Sequence, residues 1–123
     1  SIDDYFDSVR TDDFLILNTN DGSWKVKLSE IIYVESKDKH TIIRTVDNHL
    51  ECCRYMQEVE KMLPKDRFIR SHRSCIVSFL HIRNHDNKTI YFDNNERASI
   101  SRRYLTDFKK AFQEYIVRYN TKD

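Results

Sequence analysis

Between Asp66 and Val77 the chain reads Asp66-Arg67-Phe68-Ile69-Arg70-Ser71-His72-Arg73-Ser74-Cys75-Ile76-Val77, placing Arg67, Arg70, His72 and Arg73 within seven residues and then turning apolar. Guanidinium and imidazole groups carried on a rigid element donate hydrogen bonds to phosphate oxygens and to the acceptors on guanine's major-groove edge, so nucleic acid is the first partner to weigh. An Arg-rich loop that is merely solvated has the same composition, because isolated basic clusters are common on soluble proteins. Two further segments shift that balance. Ser101 is a good helix N-cap, yet Arg102 and Arg103 follow it in the first turn, where the helix dipole disfavours each exposed cation by about 0.3 to 1 kcal/mol. A phosphate there reverses the sign, accepting bonds from free backbone N–H groups and from both guanidinium groups. Ser36-Lys37-Asp38-Lys39-His40 joins two strand-like runs, carries two ammonium groups and an imidazole, and lacks the glycine or proline of a tight turn.

The elements that must carry these groups are mostly strands. Phe14 to Leu17 and Trp24 to Leu28 flank Asp21-Gly22, a strong hairpin signal. Ile31 to Glu35, Thr41 to Val46 and His49 to Cys53 read as strands, and Tyr55 to Leu63 as a short helix with Met56, Val59, Met62 and Leu63 on one stripe, ended by Pro64. Cys75 to Val77, Leu80-His81-Ile82, Thr89 to Phe92 and Ala98 to Ile100 follow, with turns at Asp86-Asn87 and Asn94-Asn95. Tyr104, Phe108, Phe112, Tyr115, Ile116 and Tyr119 recur at helical spacing and predict a C-terminal helix whose stripe packs on the sheets. Any part of that stripe left exposed would be an interaction surface, which makes a protein-interaction module one rival to nucleic-acid binding. The expected fold is mostly β, with a short internal helix and a C-terminal helix.

Composition narrows the rest. A chain of 123 residues with 39% hydrophobic content suits one compact domain. No apolar run approaches a membrane span or the core of a signal peptide, which reads as a soluble, cytoplasmic chain with no membrane partner. A single glycine excludes P-loops and dinucleotide fingerprints, and three cysteines without knuckle spacing point to neither metal nor disulfide framework, so no cofactor is expected. The 21 Lys and Arg nearly balance 20 Asp and Glu, but residues 1–13 hold Asp3, Asp4, Asp7, Asp12 and Asp13 against Arg10 alone. The remaining 110 residues therefore carry about +5, compatible with phosphate contacts. Residues 1–13 read as an acidic linker or tail, 14–104 as the domain proper and 105–123 as the C-terminal helix. His72, Ser74 and Cys75 also raise a second rival, nucleophilic catalysis. It has no glycine-framed nucleophile turn, and strand alternation would send His72 and Ser74 to one face and Arg73 and Cys75 to the other.

Three blocks carry a family resemblance. Leu28-Ser29-Glu30-Ile31-Ile32-Tyr33-Val34-Glu35-Ser36, Phe68 to Val77, and Ile100-Ser101-Arg102-Arg103-Tyr104 resemble, in order and separation, the signature blocks of the LytTR DNA-binding domain. The resemblance covers about Phe14 to Tyr104 and departs from the family pattern at Cys75, Ser78 and Ser99. It implies small antiparallel sheets in an elongated sandwich, and transcriptional control as the output module behind a phosphorylatable receiver domain. That would suit a chain beginning at Ser1 as a piece of a longer protein. It also implies loops inserted into successive major grooves of imperfect direct repeats in double-stranded DNA, which is bent, with a homodimer on the DNA left open. The matching positions are Lys37, Lys39 and His40 in the first loop, Arg70, His72 and Arg73 in the second, and Ser101, Arg102 and Arg103 in the third. Among these, Arg73 is expected to read bases, with Arg102 or Arg103 next. Arg70, Lys37 and Lys39 are expected on phosphate, and His72 as a packed side chain orienting its loop.

Overall fold

A computed structural model describes residues 13–120. The expected linker, apart from Asp13, and the last three residues of the segment 105–123, expected as the C-terminal helix, lie outside the described residues. Phe14–Thr19 (β1) and Gly22–Lys27 (β2) pair antiparallel as a hairpin. Gly22 pairs with Thr19 at φ +129°, so the two turn residues are Asn20 and Asp21, one position earlier than the Asp-Gly signal suggested. Ile31–Lys37 (β3), His40–Thr45 (β4) and His49–Cys52 (β5) form a meander, the helix Met56–Met62 (α1) follows, and Phe68–His72 (β6) and Cys75–Ser78 (β7) complete a five-stranded antiparallel sheet. Its order is β5-β4-β3-β7-β6. Ile82–His85 (β8), Thr89–Phe92 (β9) and Arg97–Ser99 (β10) make a three-stranded sheet, and Arg102–Asn120 (α2) closes the described chain.

The five-stranded sheet is covered on both faces, which explains why β3 is apolar without alternation and buries Ile31 to Val34 in succession. One core joins Leu15, Leu17 and Val26 of the β1–β2 hairpin to Val34, Ile43 and Ile76 of the sheet and Val59 of α1. The other joins Ile32, Tyr33 and Val77 of the same sheet to Ile90 and Phe92 of the three-stranded sheet and Phe108 of α2. A bulge between Ile31 and Tyr33 lets β3 serve both. Among the described residues the fold is therefore mostly β, in small antiparallel sheets with two helices, as expected.

Three local expectations need correction. The segment before Cys75, not named among the expected strands, is the strand β6, hairpinned to β7 through Arg73-Ser74. Leu80 and His81 belong to a 3-10 turn, Phe79–His81, with β8 beginning only at Ile82. Met62 is 36% exposed while Met56, Val59 and Leu63 are buried, because seven residues of helix bury only two turns' worth of one face.

A polar clasp ties the two larger sheets together. Glu96, in the β9–β10 connection, accepts from the Tyr33 hydroxyl at 2.5 Å and from Asn94 Nδ2 at 2.8 Å, and forms an ion pair with Arg44, whose Nε lies 2.6 Å from its Oε1. Burial alone would raise the Glu96 carboxyl, but the bond from Tyr33 and the Arg44 guanidinium outweigh it and hold the group below its ordinary value. Burial, then the bond to Glu96, pushes the Tyr33 phenol up and keeps it a donor. A depressed carboxyl lends stability that is fully present above its unfolded value of about 4.3 and is lost as pH falls through the lower folded value. Glu96→Gln is expected to flatten that acid limb in urea midpoints measured between pH 6 and 3, leaving only the limb due to other carboxylates.

Candidate nucleic-acid interface

The three cationic segments lie at one end of the fold. The first is a two-residue turn, since Lys37 pairs with His40, and this overturns the reading that the segment is no tight turn. Asp38 (φ 52°) and Lys39 (φ 68°) both occupy the left-handed region that such a turn requires. Glycine or asparagine would hold that backbone more easily, by about 1 kcal/mol for a residue like lysine. Lys37 and Lys39 are exposed at the tip. His40 is turned sideways, its Nδ1 2.9 Å from Glu51 Oε1 on the neighbouring strand. Lys39→Gly is expected to raise stability by about 1 kcal/mol and to weaken duplex binding, with the salt slope smaller by about one. Thermal melts and titrations at two salt concentrations measure both.

The second segment is the β6–β7 turn. Arg73 is exposed there, and the residues beneath it are locked. The Arg70 guanidinium, only 17% exposed, donates to Glu60 of α1 at 3.1 Å and to the carbonyl of Arg73. Arg70 is thus committed within the protein, as a brace for the turn. His72 Nδ1 receives the backbone N–H of Ser74 at 3.1 Å and lies 2.9 Å from its hydroxyl. A nitrogen that accepts a backbone N–H carries no proton, so neutral His72 holds its proton on Nε2 as a donor. The β-bulge between Arg70 and His72 breaks the simple alternation expected through the block. Ser74, absent from the sequence-based site, organises this turn; the His-x-Ser spacing was its only signal. Arg67 precedes β6 and sits at the other end of that strand, apart from the tip.

The same geometry bears on the catalytic rival. The Ser74 hydroxyl does meet His72, beside a cleft of about 270 Å3 that Glu35, Arg97 and Ser99 also line. His72 Nδ1 is already engaged by a backbone N–H, however, and burial pushes the Cys75 thiol up to about 12, far from a thiolate at neutral pH.

The third segment opens α2. Arg102 and Arg103 are exposed, no acidic residue occupies the first turn, and Arg103 lies over the Tyr104 ring at 5.5 Å. Ser101 stands immediately before the helix, and its carbonyl accepts from Tyr104 N at 3.0 Å. Backbone hydrogen bonds join the three segments: Ser36 N donates to Ser74 O at 2.9 Å, and Ser101 N donates to Ser71 O at 2.9 Å. A cleft of about 390 Å3 between the first two is lined by Lys39, Arg73 and Tyr55, the last 69% exposed and unforeseen in the sequence. Cationic side chains on short, braced turns, with a cationic helix start beside them, form a surface suited to a polyanion.

This arrangement is that of a nucleic-acid-binding β domain. The family model for the LytTr DNA-binding domain matches residues 21–113, and the chain belongs to that family. It is similar to a solved LytTr DNA-binding domain from Bacillus cereus, with a TM-score of 0.71 and 37% identity over 80% of this chain and 94% of that one. It is 27% identical over 101 residues to the sensory transduction protein LytT of Bacillus subtilis, covering 78% of this chain and 42% of LytT. Over 58 residues it is 34% identical to the CO-responsive transcriptional regulator RcoM of Rhodospirillum rubrum, covering 47% of this chain and 25% of RcoM. The chain thus spans less than half the length of either curated relative. Among the described residues, no helix is long and apolar enough to cross a membrane.

Proposed function

We propose that this domain binds double-stranded DNA sequence-specifically to control transcription, inserting its turns into successive major grooves of imperfect direct repeats. The observation that carries this reading is the joining of three cationic segments at one end by the Ser36–Ser74 and Ser71–Ser101 backbone bonds. Arg73, exposed on a braced turn, reads a base edge, as a guanidinium bidentate to guanine O6 and N7 does. Arg102 and Arg103 add contacts from the helix start, and Lys37 and Lys39 bind phosphate and set register. Arg70 acts through Arg73, which revises its expected place on phosphate, and His72 and Ser101 position their segments. His40, held by Glu51, flanks the first tip. Relatives named as a sensory transduction protein and a transcriptional regulator support an output module controlled by a preceding domain, for which a receiver is the fitting class. Two copies occupy adjacent repeats.

Selection of binders from a randomised duplex pool, at low and moderate salt, tests this. Enrichment of a motif repeated about one helical turn apart is expected. Retention without enrichment would reduce the tips to phosphate binding, and no retention at low salt would remove the reading.

A further inference from the structure

On the reading that this domain binds double-stranded DNA, we propose a fourth phosphate-binding site, formed by Lys88 on the β8–β9 turn together with Arg102 and Lys109 on α2. It holds the backbone of duplex that flanks the repeats met by the three tips.

Chain direction brings the β8–β9 turn to the tip end. β6 runs toward the tips, and the carbonyl of Ser71 near its end accepts from Ser101 N, so the end of β10 lies there as well. Ser99 of β10 pairs with Thr89, and Ile100 N donates to the carbonyl of Lys88 at 2.8 Å. That bond joins the turn to the third cationic segment, as the Ser36–Ser74 and Ser71–Ser101 bonds join the other segments to one another. The turn is also braced from within. Asp86 Oδ1 accepts from Lys88 N and from Thr89 N, both at 2.8 Å, and Asp86 N donates to the carbonyl of Thr89 at 3.0 Å. Lys88 is therefore an exposed cation on a fixed backbone, as Arg73 is.

The helix supplies the rest of the site. Arg102 and Lys109 are seven residues apart, so they share one face of α2 over about 10 Å. Lys109 Nζ lies 3.3 Å from Asn87 Oδ1, which ties that face to the turn while leaving the ammonium charge uncancelled, because the amide is neutral. Lys88, Arg102 and Lys109 are all exposed, and none of them forms an ion pair among the described residues. Three cations thus stand against Asp86, the one acid of the turn, whose Oδ1 is already taken up by two backbone N–H groups. A ridge of about 10 Å matches about three phosphates at 3.4 Å per strand. Since the ridge lies beyond the third segment, the phosphates it meets are those outside the repeats.

Two duplexes test this with the 123-residue chain: one carries a selected repeat pair with about one helical turn of flanking sequence on each side, and the other is trimmed to the ends of the repeats. For Lys88→Ala combined with Lys109→Ala, the slope of log affinity against log salt is expected to be smaller by about two on the long duplex and unchanged on the trimmed one. Lys61→Ala combined with Lys65→Ala removes the same charge from exposed positions at the end of α1 and ahead of β6, away from the tips, and is expected to leave both slopes unchanged. All four lysines are exposed, so both variants keep the two cores, and thermal melts check that they do. Equal slopes for the two double variants on the long duplex would overturn the fourth site and leave DNA binding by the tips standing. A loss of equal size on the trimmed duplex would overturn the assignment to flanking DNA. Failure of the unaltered chain to bind either duplex would remove the site and the proposed function together.

Discussion

Replacing Phe108 with alanine is expected to lower the unfolding free energy by about 3 to 5 kcal/mol, read from urea denaturation followed by circular dichroism. Phe108 is fully excluded from solvent and is the one buried residue of α2. Its ring meets His85 edge-on at 5.0 Å and stacks on Phe112 at 5.7 Å, within the core shared with Ile32, Phe92 and Ile100. Truncation removes the aromatic contacts and leaves a cavity that the flanking sheets, braced by the Glu96 clasp, cannot close. Against a total of about 5 to 15 kcal/mol for a domain, that is about a fifth of the stability or more. Phe108→Leu keeps most of the volume and is expected to cost under about 1.5 kcal/mol. Equal losses for the two replacements would show that the aromatic contacts and the cavity matter little at this site.

Arg73→Ala is expected to erase preference at one base position, by about 1 to 3 kcal/mol or roughly 5- to 150-fold between the best duplex and one changed there. The turn that carries it is held by Arg70 from below and by Ser36 from the side, so removing the Arg73 side chain leaves the backbone contacts in place. Arg73→Lys keeps the charge but not the planar fork, and is expected to lose most of the preference while keeping the salt slope. Lys37→Ala provides the contrast, with affinity falling alike for all duplexes and the slope smaller by about one. Titration of matched and single-site-changed duplexes at two salt concentrations separates these patterns. A uniform loss for Arg73→Ala would move Arg73 to the phosphate group.

Strands at Ile31, Thr41, His49 and Thr89, and the helices α1 and α2, are legible in the chain because each satisfies a local rule of alternation, apolar run, stripe or turn residue. β6 is not, because Phe68-Ile69-Arg70-Ser71-His72 mixes cationic and apolar residues. Its outer neighbour is the start of α2, and a bulge disrupts its alternation. The tight turn at Asp38-Lys39 was hidden for the opposite reason. Two residues that disfavour positive φ are held there by the pairing of β3 with β4 on either side.

The functional residues divide in the same way. Residue type and spacing determined which segments are cationic, that Arg102 and Arg103 oppose the helix dipole, and which family the blocks resemble, since charge and propensity are properties of neighbours along the chain. Tertiary structure alone decided that Arg70 turns inward to Glu60, that His40 is held by Glu51, that Ser74 organises the Arg73 turn and that Tyr55 stands beside it. Those outcomes depend on which carboxylate, carbonyl or N–H lies within about 3 Å of a side chain. That distance is set by strand order and helix placement, through contacts between residues far apart in sequence, which no local pattern encodes.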